Sequence, residues 1–206
     1  MKSILLAVVF LLAACNCGGA EQSVARAVFI SGWTISHSPG MLPHLEGSEG
    51  RHYFDFPPID GVHYVTSAAP AVRLSQTITM HFAVAGDGRL VATEGSAPAR
   101  VRLFLQQRGD RSTASEPFKR WWSVAYVDLN GHREFTLTAR LVPSQWSSVF
   151  GKNGSTAPNE FKNCLAALGK IGFTFGGAFA GHGVYVARGK ARFILQSFTI
   201  TSKPSS

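Results

Sequence analysis

The sequence predicts an all-β fold, an antiparallel β-sandwich of the jelly-roll kind with one short helix, and three observations carry that expectation. Apolar and polar residues alternate with period two in several segments, turn-forming residues separate those segments, and only one stretch has helical spacing. Strands with one apolar and one polar face suit antiparallel sheets with a solvated side, whereas a doubly wound parallel sheet needs unbroken apolar strands and several helices. No fixed-period repeat is present, which argues against propellers and solenoids.

In chain order, the first fifteen residues carry Lys2, an apolar run from Ile4 to Ala14, and then Cys15, the pattern of a secretory signal. No other apolar run approaches the roughly 20 residues a membrane-spanning helix needs. The tetrapeptide Leu12-Ala13-Ala14-Cys15 resembles the lipobox of bacterial lipoproteins. That resemblance implies a lipidated Cys15 and a membrane partner reached through acyl chains, at about 0.8 kcal/mol per buried methylene. Asn16 stands where an aspartate would favour the inner membrane, so the resemblance implies the bacterial outer membrane and leaves the face open. The expected organisation is a signal over 1–14, a lipidated cysteine and flexible tether over 15–26, and one sandwich domain over 27–206.

Strands are expected at 28–35, 51–56 and 62–67. The clearest alternation follows at 77–84, where Ile78, Met80, Phe82 and Val84 oppose Thr77, Thr79 and His81. Next, Val101, Leu103 and Leu105 oppose Arg102, Phe104 and Gln106, and a strand is expected over 121–129. Phe135, Leu137, Ala139 and Leu141 then oppose Glu134, Thr136, Thr138 and Arg140. The helix is read from Pro158 in a first turn, Glu160 near its positive end, apolar residues at 161, 165 and 168, and Gly169 beyond. Strands at 171–175, 184–186 and 192–200 complete the set. Cys164 shares the helix's apolar face, as a buried thiol or as a disulfide partner of Cys17.

A formal net charge of +8 and a pI near 9.8 invite an anionic partner. The arginines are scattered and no nucleic-acid motif is present, so the expected partner is a glycan or an anionic envelope polysaccharide and not nucleic acid. Only 12 acids are available for a two-carboxylate hydrolysis, with Asp55, Asp128 and Glu134 the candidates; the Glu-x-Asp-x-x-Glu triad of laminarinase-type hydrolases is absent. The seven histidines lack H-x-H and H-E-x-x-H spacing. His52 and His63 could meet across the turn at 57–61, but lone histidines with hydrogen-bonded partners are the better reading. A nucleophile elbow and a P-loop are also missing, so no catalytic residue, metal or cofactor is expected.

Aromatic residues make up 11% of the chain. In a regular strand Trp121 faces the core with Ser123, Ala125, Val127 and Leu129, while Trp122 shares the other face with Val124, Tyr126 and Asp128. If the 101–107 strand lies alongside, Arg102, Phe104 and Gln106 join that open face. Rings flanked by planar polar groups suit a sugar, whose C–H face stacks on the ring while its hydroxyls take hydrogen bonds. The run from Phe173 to Tyr185 intersperses glycines among aromatics, either as a loop with positive φ that brings His182 and Tyr185 toward the binding end or for tight structural packing.

The stretch 146–152, the helix, Ile171-Gly172-Phe173-Thr174-Phe175-Gly176-Gly177, His182-Gly183-Val184 and the closing 191–200 strand together resemble the C-terminal part of galactose-binding-domain-like jelly rolls. That resemblance implies a carbohydrate-binding or protein-interaction module. The expectation is therefore a non-catalytic envelope lipoprotein binding glycan through Trp122, Tyr126, Phe104, Arg102, Gln106 and Asp128. Its rivals are a jelly-roll polysaccharide hydrolase or lyase and a structural lipoprotein that binds another protein.

Overall fold

The computed structural model describes residues 27–36, 45–47, 51–95, 97–131, 133–178 and 180–202. The segments expected to form the signal and the tether, with Cys15, Asn16 and Cys17, lie outside these residues. In chain order the strands are β1 (Ala27–Phe29), β2 (Thr34–Ser36), β3 (His52–Asp55), β4 (Tyr64–Ala68), β5 (Thr77–Gly86), β6 (Arg89–Ala92), β7 (Arg100–Gln107) and β8 (Arg120–Ser123). They continue as β9 (Val127–Asp128), β10 (Glu134–Arg140), β11 (Trp146–Ser148), β12 (Leu168–Gly176), β13 (Val184–Arg188) and β14 (Ala191–Thr201), with helix α1 (Pro158–Ala166) between β11 and β12.

These strands build two large antiparallel sheets, a jelly-roll-like sandwich. The first runs β1-β14-β5-β10, with β3 also on β14; the second runs β11-β8-β7-β12-β4-β2, with β9 on one end of β7. A separate two-stranded sheet joins β13 to β6. Between the large sheets lie the inward residues the alternation selects: Ile78, Met80 and Phe82 of β5, Val101, Leu103 and Leu105 of β7, and Phe173 and Phe175 of β12 are at most 1% exposed. The spacing of Phe193, Leu195, Phe198 and Ile200 breaks a strict two-residue period, yet all four are buried. An irregular register between Leu195 and Ser197 absorbs the extra residue.

Two strand expectations change. The 28–35 segment is not one strand: β1 pairs with β14 in the first sheet and β2 with β4 in the second, parted at Gly32, whose φ is +73°. The 121–129 segment is likewise cut into β8 and β9 by an excursion at 124–126. β3, which opens with His52, belongs to the first sheet and β4, which follows His63, to the second, so the two histidines do not sit on paired strands. Helix α1 ends at Ala166, before Leu168, which opens β12. It buries Phe161, Cys164 and Leu165 at one end of the sandwich, where the Phe161 ring lies 5.2 Å from that of Trp121 and 6.1 Å from that of Trp146.

Candidate functional site

The outer face of the second sheet is set by register. Phe104 of β7 pairs with Gly172 of β12 on one side and with Trp122 of β8 on the other. Trp122 in turn faces Ser147 of β11. Arg102 and Gln106 flank Phe104 on the same face of β7. Across β12 the Tyr64 ring of β4 lies 5.0 Å from that of Phe104, which lies 5.4 Å from that of Trp122. The outcome corrects one expectation: Phe104 is on this face but only 1% exposed, covered by its two aromatic neighbours.

Past Ser123 the chain leaves β7. Ser123 Oγ accepts the Leu103 N–H and donates to the Ala125 carbonyl, which fixes the departure. The excursion leaves Val124 and Tyr126 exposed before β9 rejoins β7 at Arg100 and Val101. Two guanidinium groups lie over the Tyr126 ring, Arg100 at 4.2 Å and Arg102 at 4.7 Å from its centre. Arg100 Nε donates to Asp128 Oδ1 at 2.8 Å, and that bond raises the Arg100 pKa. Arg102 instead donates through one nitrogen to the Ser123 and Val124 carbonyls, at 2.8 and 2.7 Å. Burial, and after it the charge of Arg100, lowers the Arg102 pKa.

Arg102, Ser123, Val124 and Tyr126 border an open cleft of about 750 Å³. Arg102, Trp122, Val124 and Tyr126 line one part of it; Ser147 to Gly151 with Asn153, and Ala178, Ala180 and His182, line the rest. The Trp122 indole N–H is buried and has no hydrogen-bond partner among the described residues. His182 arrives as the sequence suggests, on a loop that needs positive φ at Gly181 (+82°) and Gly183 (+102°), with both backbone N–H groups donating to the Phe175 carbonyl. A second depression of about 200 Å³ is lined by Ser36, Tyr64, Thr66, Phe104, Gln106, Ser112 and Arg120. Here Gln106 Nε2 donates to Asp110, which also pairs with Arg120 Nε at 3.1 Å.

Of the eight expected ligand residues, then, Arg102, Trp122, Tyr126 and His182 share the cleft, and Phe104 and Gln106 line the adjoining depression. Asp128 is engaged by Arg100, and Tyr185 pairs with Val91 on the two-stranded sheet, outside both linings. Sequence reasoning did not select Phe150. It lines the cleft 74% exposed with φ +63° and ψ 22°, a left-handed backbone uncommon for a bulky residue. An aromatic residue ahead of Gly151, between a strand and the proline of a helix, is the signal that could have found it.

The candidate acids are dispersed. Asp55 holds Arg192 through both carboxylate oxygens, Asp128 holds Arg100, and Glu134 accepts from Gln196. Glu134 lies in the first sheet and Asp128 in the second. No carboxylate is among the cleft residues, and among the described residues no three of His, Cys, Asp and Glu gather to hold a metal ion.

No protein-family model matches the chain, and no curated protein matches it. A solved structure described as "xylan-binding module CBM15" is similar at 16% identity and a TM-score of 0.49, covering 88% of this chain and 99% of that one. Likeness of that order fixes neither a family nor a ligand.

Proposed function

We propose that the protein is a non-catalytic glycan-binding component of the bacterial envelope, held at the outer membrane through Cys15, with the cleft on its second sheet as the binding site. One observation carries this reading: exposed aromatic rings and hydrogen-bonding side chains converge on an open cleft that no carboxylate lines. Tyr126, backed by two guanidinium groups, is a platform for the apolar face of a sugar. The side chains of Ser147 and Asn153 offer hydrogen bonds to its hydroxyls. A hydrolase built on paired carboxylates has less support, because Asp55, Asp128 and Glu134 are bonded elsewhere and do not face one another.

Affinity electrophoresis of the full chain in detergent tests the proposal, with neutral and acidic polysaccharides in the gel. Retardation by at least one polysaccharide is expected, reduced about tenfold in affinity by Tyr126→Ala and by Trp122→Ala, a loss of about 1.4 kcal/mol each. Unretarded migration through every gel would overturn it.

A further inference from the structure

The cleft and the smaller depression meet at one ring pair, since Trp122 lines the first and Phe104 the second. Arg102 of the cleft and Gln106 of the depression lie four residues apart on β7, a run of roughly 13 Å at strand spacing. One sugar ring fills one of the two; only a chain of sugars reaches both.

Backbone strain marks the same two places. Among the described residues, the non-glycine residues with positive φ are Asp60, Ser75, Ser112 and Phe150. Ser112 lines the depression and Phe150 the cleft. A left-handed backbone disfavours any residue with a Cβ, and a 74% exposed phenylalanine buries little surface in return. Neither feature helps the chain fold, and strain of this kind collects at ligand clamps.

Charge narrows the ligand further. Arg100 is matched by Asp128 and Arg120 by Asp110, whereas the hydrogen bonds of Arg102 go to two neutral carbonyls. A half-buried cation beside a cleft without carboxylates favours an anion.

We infer that the two depressions form one surface for an acidic oligosaccharide, with a carboxylate or sulfate of the chain meeting Arg102 and Phe150 stacking on one of its rings. This rests on the glycan-binding reading. The test is calorimetry on the full chain in detergent, titrated with hexasaccharides of galacturonate, mannuronate and heparin, with their disaccharides, and with neutral cellohexaose. At least one acidic hexasaccharide is expected to bind about tenfold more tightly than both its own disaccharide and cellohexaose. Arg102→Gln removes most of the preference for acidic over neutral chains. Phe150→Gly relieves the backbone and raises Tm by about 2–4 °C while weakening the hexasaccharide about tenfold. Equal binding of acidic and neutral hexasaccharides, or of hexasaccharide and disaccharide, would overturn the inference and leave glycan binding standing. So would undiminished affinity in Phe150→Gly. Failure to bind any of these sugars, together with unretarded migration in the polysaccharide gels, would remove both readings.

Discussion

Burial decides how Cys164 behaves. Its thiol sits inside the sandwich end capped by α1, and burial, reinforced by the charge of Asp110, pushes its pKa up to about 12. At pH 8 the reactive thiolate is then roughly one part in ten thousand. The peptide containing Cys164 should stay unmodified by iodoacetamide in the native protein and be alkylated in guanidinium; mass spectrometry reads both, and rapid native alkylation would contradict the burial. Glu116 shows the opposite shift. Hydrogen bonds from Lys119 and from the Arg111 backbone hold its carboxylate at a pKa of about 2, against an ordinary 4.5. Because the folded value is the lower, the turn gains its stabilisation above pH 4.5 and loses it as pH falls toward about 2. Amide exchange at Arg111, corrected for intrinsic rate, should accelerate through that window, and Glu116→Gln should flatten the profile. Single residues were only partly legible in the sequence. Alternation placed Trp122, Phe104, Arg102 and Gln106 on one face, but period two says nothing of depth. Tyr64 of β4 reaches across β12 to the Phe104 ring of β7, and that is a property of three strands at once.

Elements add what single positions cannot. Gly172 stands between β7 and β4 in the middle of the second sheet, and a Cβ built on it would fall 2.1 Å from the Val65 carbonyl oxygen and 2.9 Å from Thr66 Cα. Both obstacles are backbone of the paired strand, so no side-chain rotation makes room. Gly172→Ala should destabilise by about 2–4 kcal/mol and lower Tm by roughly 5–15 °C, measurable by circular dichroism. An unchanged Tm would mean that β4 yields at little cost. The alternating strand at 77–84 and the apolar, β-rich run at 192–200 were legible because each buries one face along its length. The 121–129 segment misled because its alternation continues through residues that leave the sheet: the turn is made by Ser123 bonding to Ala125 and Leu103, without glycine or proline to announce it. The same departure exposes Tyr126, so the least legible stretch of strand is also the one that brings Tyr126 to the cleft. The 28–35 segment failed for a related reason, since crossing between sheets at Gly32 leaves apolar residues on both sides of the break.

At the scale of the molecule, the face that carries the cleft is rigid only if the two sheets hold each other, and Phe193 shows how they do. It projects from β14 of the first sheet, and its ring lies 5.1 to 5.3 Å from those of Phe82, Phe54, Phe173 and Phe175. Phe82 is in the first sheet, whereas Phe173 and Phe175 belong to β12 of the second, so removing this ring opens a void against both. Phe193→Ala should cost about 3–5 kcal/mol, and Phe193→Leu less, since a smaller void remains. The tryptophans allow a sharper test. Trp121, Trp122 and Trp146 are all on the second sheet, and Trp33 packs on Phe173 of that sheet and on Phe198 of the first. Fluorescence therefore reports mainly on the sheet to which Phe193 does not belong. If the sandwich unfolds as one unit, Phe193→Ala must move the urea midpoint seen by tryptophan fluorescence as far as the midpoint seen by far-ultraviolet dichroism. A fluorescence midpoint that stays at the wild-type value while dichroism shifts would show two separately stable sheets. The cleft would then rest on the second sheet alone, and mutations across the core would leave ligand affinity untouched.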